Sequence, residues 1–226
     1  MKLFTVVLAA ALAAAAQQLP QVAVVVPIGQ TINPGGTGTI QVQLSSTASA
    51  QGPIGGLQWE ITFPAGTVSD VQFTAGDGST AAQKQVVCAA IPPATWRCIA
   101  YGINTAAFAD GIVAQGTVTF ATQPAAPTVQ VSILNSLAVG TEALAVAIQA
   151  GQPVNIKLSP TACDANADFR TDAVDVLIAV NLVLGIQSCG STDLDKDGKC
   201  TLYDVQRIIT AALGNACTTG PPPAGR

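Results

Sequence analysis

An acidic segment occurs twice in the last quarter of the chain, at a constant offset. Four pairs of identical residues match between the copies: Asp164 and Asp193, Asp168 and Asp197, Asp175 and Asp204, and Gly185 and Gly214. In each copy the acidic residues lead into apolar residues at helical spacing that stop at the glycine, which is typical of a loop followed by a helix. The repeat limits the possible folds, because both copies must form the same unit of structure.

Oxygen-bearing residues occupy alternate positions in each copy. Calcium takes six to eight oxygen ligands, and a 12-residue loop supplies them from positions 1, 3, 5, 7, 9 and 12, position 7 through its carbonyl. The residues at these positions are Asp164, Asn166, Asp168, Arg170, Asp172 and Asp175 in the first loop and Asp193, Asp195, Asp197, Lys199, Thr201 and Asp204 in the second. An acidic turn that caps a helix is the alternative for one copy, but two matching copies favour two calcium sites.

The two loops differ at position 6, where the sharp turn favours glycine. Gly198 stands there in the second loop, whereas Phe169 stands there in the first. A bulky side chain is strained at the positive φ that this turn requires. We therefore expect the second site to be the more secure, and the first loop either to follow a different path or to bind calcium more weakly.

Apolar and polar residues alternate along much of residues 22–158, which is typical of strands with one buried face. The alternation places Leu57, Trp59 and Ile61 on one inward face. About ten short strands are predicted, at residues 22–26, 39–44, 57–63, 68–73, 86–88, 98–101, 116–120, 129–133, 144–148 and 154–158. Frequent turn-rich segments between them, such as residues 75–78, and the lack of a long amphipathic helix predict a β-sandwich.

The period of the pattern changes from two to helical after Pro160. The predicted fold class is therefore mainly β: a jelly-roll-like β-sandwich at residues 17–160, followed by a small α-helical module with paired calcium loops at residues 161–217. Residues 218–226 are expected to form a disordered tail. Residues 1–16 combine Lys2, an apolar run and small residues, which predicts a signal peptide and a secreted protein; an uncleaved membrane anchor is the alternative.

The composition excludes several classes of function. The sequence has no histidine, which removes Ser-His-Asp and Cys-His arrangements and the usual zinc sites. Glycosidase chemistry needs two carboxylates across a cleft, but Glu60 alternates with buried positions and is expected on a solvated sheet face, and Asp77 and Asp110 lie beside glycines in predicted turns. No basic patch suggests a nucleic-acid partner. A non-catalytic protein is predicted.

Aromatic and sulfur-containing residues give two further expectations. Trp59 is in phase with the inward positions of its strand and is expected in the core, whereas Trp96 lies in a predicted loop and is the better candidate for an exposed sugar-binding surface. Six cysteines in an exported chain predict up to three disulfides. Cys88 and Cys98 flank Pro92-Pro93 and are expected to pair.

The repeat, from Asp164-Ala165-Asn166-Ala167-Asp168 to Leu213-Gly214, resembles a type I dockerin, with aspartate at position 12 of each loop. The resemblance covers residues 163–217 and implies a three-helix module, folded around two calcium ions, that docks onto a cohesin-like domain. Docking contacts in that family centre on loop positions 10 and 11. Those positions are Ala173, Val174, Leu202 and Tyr203 here.

The dockerin resemblance also bears on the remaining four cysteines. Its pseudo-symmetry brings the ends of the module together, which implies Cys163–Cys217 and leaves Cys189 to pair with Cys200. The pairs Cys163–Cys189 and Cys200–Cys217 are the alternative, and the sequence does not decide between them.

The predicted sandwich resembles cohesin modules in short segments, namely Pro34-Gly35, residues 55–64 and residues 110–120. Carbohydrate-binding modules share this architecture. Together the two resemblances imply a secreted adaptor whose partner is a cohesin-like domain, including one on another copy of the same chain. The alternative is a carbohydrate-binding protein of a polysaccharide-degrading system, tethered by its dockerin-like module.

Overall fold

The computed structural model describes residues 19–46, 52–124, 126–186 and 188–221. The predicted signal peptide and most of the predicted tail lie outside the described residues. The strands are β1 Gln21–Val25, β2 Thr37–Ser45, β3 Ile54–Thr62, β4 Val68–Ala75, β5 Gln85–Ile91, β6 Thr95–Tyr101, β7 Gly111–Phe120, β8 Thr128–Gly140, β9 Ala145–Val146, β10 Gln149–Ala150 and β11 Val154–Lys157. The helices are α1 Asp77–Ala81, α2 Ala173–Val183 and α3 Leu202–Ala212.

The strands form two sheets that pack into a β-sandwich. One sheet has the order β10-β1-β2-β7-β4, and the other has the order β11-β8-β3-β6-β5 with β9 paired to β8. Neighbouring strands are antiparallel, apart from the short parallel pairing of β1 with β10. The coarse prediction of a mainly β sandwich is confirmed.

The core lies between the two sheets, and the alternation of the sequence explains which side chains enter it. Inward positions of β2 and β3 are fully or almost fully buried, including Ile40, Leu44, Trp59 and Ile61. Because successive side chains of a strand point to opposite faces, the residues between them face outward. The predicted inward face of β3 is therefore confirmed.

Three details differ from the sequence-based expectations. Trp96 lies in β6 rather than in a loop, and it is buried against Phe63, with ring centroids 5.6 Å apart. The predicted turn at residues 75–78 leads directly into α1. The predicted strand at residues 144–148 is reduced to β9, and β10 follows it at Gln149–Ala150 and pairs with the other sheet.

Helices α2 and α3 begin with the same capping arrangement. Asp172 and Asp175 form a reciprocal capping box at α2, and Thr201 and Asp204 form one at α3. Such boxes satisfy backbone N–H groups that a helix start leaves without partners. Among the described residues between these two helices, Gly190–Thr192 form a short 3₁₀ turn. No helix in the described part of the chain is long and apolar enough to cross a membrane.

The chain passes from the sandwich into the acidic repeat without a free linker. Ile32 forms a parallel bridge with Leu158 and accepts a hydrogen bond from the Ser159 N–H at 2.8 Å. The Asn33 amide donates to the carbonyls of Ser159 and Pro160, both at 3.0 Å. The start of the repeat is therefore held against the sandwich.

Candidate functional site

The second acidic loop gathers three carboxylates on one side of a tight turn. Oxygen atoms of Asp193, Asp195 and Asp197 lie within 4.8 Å of one another. The turn is held by backbone donors, because the N–H of Asp197 donates to Asp193 at 3.1 Å and the N–H of Gly198 donates to the same carboxylate at 2.9 Å. A set of hard oxygen donors in this arrangement suits calcium.

The first loop repeats this network residue for residue. The N–H of Asp168 donates to Asp164 at 3.1 Å, and the N–H of Phe169 donates to the other oxygen of Asp164 at 2.7 Å. At position 7 the N–H groups of Arg170 and Lys199 donate to Asp168 and Asp197 respectively. The two loops therefore follow the same path, and the expectation of a different path for the first loop is wrong.

The conformation at position 6 is left-handed in both loops. The φ angle is 70° at Phe169 and 85° at Gly198. A Cβ atom added at Gly198 would meet nothing within 4 Å, whereas the side chain of Phe169 packs against the core of the sandwich. That packing offsets the backbone strain that a non-glycine residue incurs at positive φ.

The two position-12 aspartates are buried and tie each loop to its helix. Asp175 accepts from the N–H groups of Ala165 at 2.8 Å and Asp172 at 2.8 Å. Asp204 accepts from the N–H groups of Leu194 at 2.9 Å and Thr201 at 2.8 Å. Asp175 also accepts from the N–H of Asn166 at 3.2 Å, and Asp204 also accepts from the Thr201 hydroxyl at 3.1 Å, so each carboxylate joins its loop to its helix through several hydrogen bonds.

In each loop, desolvation and neighbouring carboxylates disfavour the charged form of one aspartate. Burial raises the pKa of Asp164 more than its backbone donors lower it, and the neighbouring Asp175 and Asp168 carboxylates add to the rise. Desolvation likewise raises the pKa of Asp195, with repulsion from Asp197 and Asp204. Burial also acts to raise the pKa of Asp204, but the donors from Thr201 and Leu194 hold it below its usual value. A bound cation would relieve the repulsion at Asp164 and Asp195.

All six cysteines of the sequence are paired. The disulfides are Cys88–Cys98, Cys163–Cys217 and Cys189–Cys200. The first joins directly opposed residues of β5 and β6. The second joins the start of the first loop to the segment after α3, and the third encloses the start of the second loop. Of the two arrangements considered for the last four cysteines, the structure has the first.

The four residues expected to contact a partner lie at the starts of α2 and α3. Ala173, Val174 and Leu202 are exposed, whereas Tyr203 is half-buried beneath the guanidinium of Arg207, 4.3 Å from its ring centroid. Further apolar side chains are exposed on the same two helices and just after them: Leu177, Val180, Leu184, Ile209 and Leu213.

A second exposed surface, which the sequence analysis did not identify, lies on the outer face of the six-stranded sheet. Its apolar members, each between 39% and 60% exposed, are Val87, Ile99, Tyr101, Leu134, Leu137 and Val139. We call this set the apolar sheet face. One half of this face lies on β5 and β6, and the other lies on β8. Gln58 of β3 lies between the two halves, because it is the register partner of both Ile99 and Leu137.

A polar cluster lies within the apolar sheet face. Glu60 accepts two hydrogen bonds from Arg97, at 2.8 and 2.6 Å, and one from the Asn135 amide at 2.6 Å. These contacts, above all those with Arg97, lower the pKa of the Glu60 carboxyl, although burial opposes them. Glu60 is on the outer face, as expected, but its neighbours cover it, so the expectation of a solvated side chain is wrong.

Both tryptophans lie in the sandwich core rather than on its surface. Trp59 is fully buried and Trp96 is 9% exposed. Stacking on a sugar ring requires an exposed aromatic face, so Trp96 does not provide the sugar-binding surface that its predicted loop position suggested.

Comparison with known proteins places the likeness in the sandwich. No protein-family profile and no curated protein matches the chain. The sixth cohesin of scaffoldin B from Acetivibrio cellulolyticus, solved with a Cel5 dockerin mutant, is 15% identical with a TM-score of 0.51, covering 62% of this chain and 99% of that one. The OlpC cohesin from Clostridium thermocellum, solved with Doc435, is 9% identical with a TM-score of 0.50, covering 63% and 95%. The OlpA cohesin from the same organism, solved with Doc918, is 8% identical with a TM-score of 0.50, covering 62% and 99%.

These matches correct the resemblance proposed for residues 163–217. They are matches to cohesin modules and cover about the share of the chain that the sandwich occupies. The identification of residues 163–217 as a dockerin is therefore wrong, whereas the cohesin-like resemblance of the sandwich is supported. The structure gives a physical reason. The described residues of this segment form two 11-residue helices and a three-residue turn instead of three helices, and Phe169 packs against the sandwich core. The sandwich has the fold of a cohesin module.

Proposed function

We propose that this chain is a secreted, non-catalytic adaptor that docks a protein partner on the apolar sheet face. The observation that carries the proposal is the face itself, six apolar side chains left uncovered on three strands around β3. An exposed apolar patch of this kind marks an interaction surface, since a soluble domain otherwise keeps such groups dispersed. Secretion is supported by the pattern of residues 1–16 and by the three disulfides, which persist in oxidising compartments.

The polar cluster adds hydrogen-bond donors with a fixed orientation to the apolar sheet face. The side chain of Arg97 is 54% exposed, although it is paired with Glu60. An arginine held in place by a carboxylate, and surrounded by apolar side chains, is a typical centre for a protein interface. Apolar contact would supply affinity, and the remaining Arg97 donors would select the orientation of the partner.

The partner that best fits this proposal is a dockerin-type module. The matched OlpC, OlpA and scaffoldin B cohesins were solved in complexes with dockerins, and this chain has their sandwich fold. The proposal reverses the partner expected from the sequence, which was a cohesin-like domain recognised by residues 163–217.

Charge substitutions on the apolar sheet face test the docking proposal. Ile99→Glu and Leu137→Glu place a carboxylate at the two register partners of Gln58, and Ile28→Glu, at a fully exposed position outside the sheet, is the matched control. In calorimetric titrations of the full chain against a panel of recombinant dockerin modules, we expect binding by wild type and Ile28→Glu only. Equal binding by all three variants would refute the face, and retention on insoluble polysaccharide instead of binding to a protein would favour the carbohydrate alternative.

We also propose that the two acidic loops bind calcium. The support is the repeated network of backbone donors that aims the carboxylates of both loops inward, together with the cluster of Asp193, Asp195 and Asp197. Calcium in these loops would supply structural cross-links rather than chemistry. Asp175 and Asp204 would join each site to its helix, and Asp172 and Thr201 at position 9 also cap those helices.

A second copy of the chain is a separate candidate partner for the apolar sheet face, distinct from a dockerin-type module. Its support is the exposed apolar surface of α2 and α3, which includes Val174, Leu177, Leu202 and Leu213. Because these side chains are apolar and exposed, this surface is suited to a contact with another protein. Sedimentation of the full chain tests this: self-association that Leu137→Glu abolishes would support it, and a monomer at all concentrations would exclude it.

A further inference from the structure

The first loop contacts the sandwich core, whereas the second does not. Phe169, at position 6, packs against the cluster of buried residues between the two sheets. The equivalent Gly198 has no side chain, and the buried Leu194 at position 2 of the second loop belongs to the separate cluster around α2 and α3. Repeated sequences therefore produce one loop attached to the sandwich and one that is not.

The metal-binding side of the first loop is directly connected to this contact. The N–H of Phe169 donates to Asp164 at 2.7 Å, so the residue that packs against the sandwich core also orients the position-1 carboxylate. Asp164 is itself buried, at 6% exposure, whereas the equivalent Asp193 is only half-buried. A buried carboxylate is stabilised by a nearby cation far more than an exposed one.

The chain on the other side of Asp164 is also fixed to the sandwich. The carbonyls of Ser159 and Pro160 accept hydrogen bonds from Asn33, and the bridge between Ile32 and Leu158 precedes them. The first loop is therefore held from both sides, by the backbone before it and by the Phe169 side chain within it. A conformational change in this loop is therefore transmitted to the sandwich.

From these contacts we propose that the first loop is a calcium-dependent clamp between the sandwich and residues 161–217, which we call the helical segment. Phe169 is the residue that couples the two parts. The inference rests on the proposal that the loops bind calcium. Occupation of the first loop orders Asp164 and Phe169 together, so the free energy of calcium binding also stabilises the sandwich. Occupation of the second loop stabilises only the helical segment.

The chain provides its own probe and its own matched control. Both tryptophans, Trp59 and Trp96, lie in the sandwich, so tryptophan fluorescence of the full chain reports on the unfolding of that part. Phe169→Gly gives the first loop the residue that the second loop already has. It relieves the strain at positive φ and keeps every calcium ligand, but it removes the contact with the sandwich core.

The experiment compares the midpoint of the fluorescence-detected thermal transition with calcium and with chelator. At calcium about 100 times the Kd, we expect wild type to gain about 5 °C or more, and the Asp193→Ala/Asp195→Ala double variant to gain about the same. Phe169→Gly should still bind two calcium ions by calorimetry, yet its fluorescence midpoint should gain less than about half as much. Phe169→Leu, which keeps an apolar side chain, should retain most of the gain.

The outcomes separate the clamp from the calcium proposal. If wild type binds no calcium in calorimetry, both proposals are wrong. If calcium binds but the fluorescence midpoint of wild type does not move, or if Phe169→Gly retains the full gain, the loops bind metal but the clamp is wrong. If Phe169→Gly is too unstable to purify, the comparison of Phe169→Leu with the double variant decides, because only a clamp in the first loop lets the double variant keep its gain.

Discussion

Phe169 and Gly198 occupy equivalent positions in two loops and share the same left-handed backbone, with φ angles of 70° and 85°. Glycine reaches this conformation freely, whereas phenylalanine does so only where other contacts compensate. Here the compensation comes from outside the repeat, from the core of the sandwich. The same local structure is thus supported by backbone freedom in one copy and by tertiary packing in the other.

Gly198→Ala should destabilise the second loop by about 1 kcal/mol, since a Cβ atom disfavours left-handed backbone. No neighbour lies within 4 Å of the added atom, so the loss should come from the backbone alone. We expect about fivefold weaker calcium binding at this loop in calorimetry. Gln206→Ala, at an exposed position of α3 outside the loop, is the control and should bind as wild type; equal affinities for both variants would contradict the proposed conformation.

Asp204→Ala and Asp195→Ala should differ in how they depend on metal. Asp204 accepts hydrogen bonds from Leu194 and Thr201, so its loss should lower the free energy of unfolding by about 2 kcal/mol even in chelator. The Asp195 side chain accepts a hydrogen bond from the Asp197 N–H at 3.2 Å, within the loop, so its removal should cost less in chelator and most of its effect should require calcium. Urea unfolding of both variants, with calcium and with chelator, checks this. A calcium-independent effect of Asp195→Ala would argue against a metal role for that carboxylate.

Glu60→Gln should destabilise the sandwich in a pH-dependent way. The pKa of Glu60 in the folded chain lies below its ordinary value of 4.5, chiefly because of Arg97. The charged form is therefore favoured by folding, and its contribution is complete above about pH 4.5 and is lost as the pH falls through the folded-state pKa. Since Arg97 is half-exposed, we expect only about 1 kcal/mol at pH 7.

Urea unfolding of wild type and Glu60→Gln at pH 7, 5 and 3 measures that dependence. The difference between the two proteins should shrink towards zero at the lowest pH. Glu142→Gln, at an exposed turn position, is the matched control and should show little difference at pH 7. A constant difference for Glu60→Gln over the whole range would show that its charge contributes nothing.

The two disulfides of the helical segment should differ in how much they contribute to the free energy of unfolding. Cys163–Cys217 closes a loop with a sequence separation of 54, whereas Cys189–Cys200 closes one with a separation of 11. Because the longer loop gains more entropy when it is opened, replacing the first pair by alanine should cost about 4 kcal/mol and replacing the second about 3 kcal/mol. Denaturant unfolding monitored by far-UV circular dichroism measures both, and the reverse order would contradict a simple loop-entropy origin.

Much of the local structure was predictable from the sequence. Alternation identified the inward positions of β3, including Trp59 and Ile61, because a strand must send successive side chains to opposite faces. The spacing of acidic residues identified two equivalent turns, because Asp side chains at alternate positions can accept the same backbone N–H groups in each. The structure contains both features, although metal binding by the turns is still a proposal.

The apolar sheet face was not predicted, although a signal for it exists. Residues 86–88 and 137–139 are apolar at consecutive positions, which leaves apolar groups on both faces of a strand instead of one. Single apolar side chains on a surface are common, so this signal becomes meaningful only when several such strands are known to be neighbours. The expectation that Trp96 is exposed was also wrong. The start of β6 lies beside a proline pair, and such a segment resembles a loop in sequence.

The sequence by itself determined the alternation of the strands, the repeated turns and the capped starts of α2 and α3, since all of these depend on residues a few positions apart. Only the tertiary structure decided that Ile99 and Leu137 flank Gln58, that Arg97 and Asn135 cover Glu60, and that Phe169 packs against the sandwich core. Those relationships join residues distant in the chain, and they depend on strand order and packing, which the pattern within any one segment does not contain.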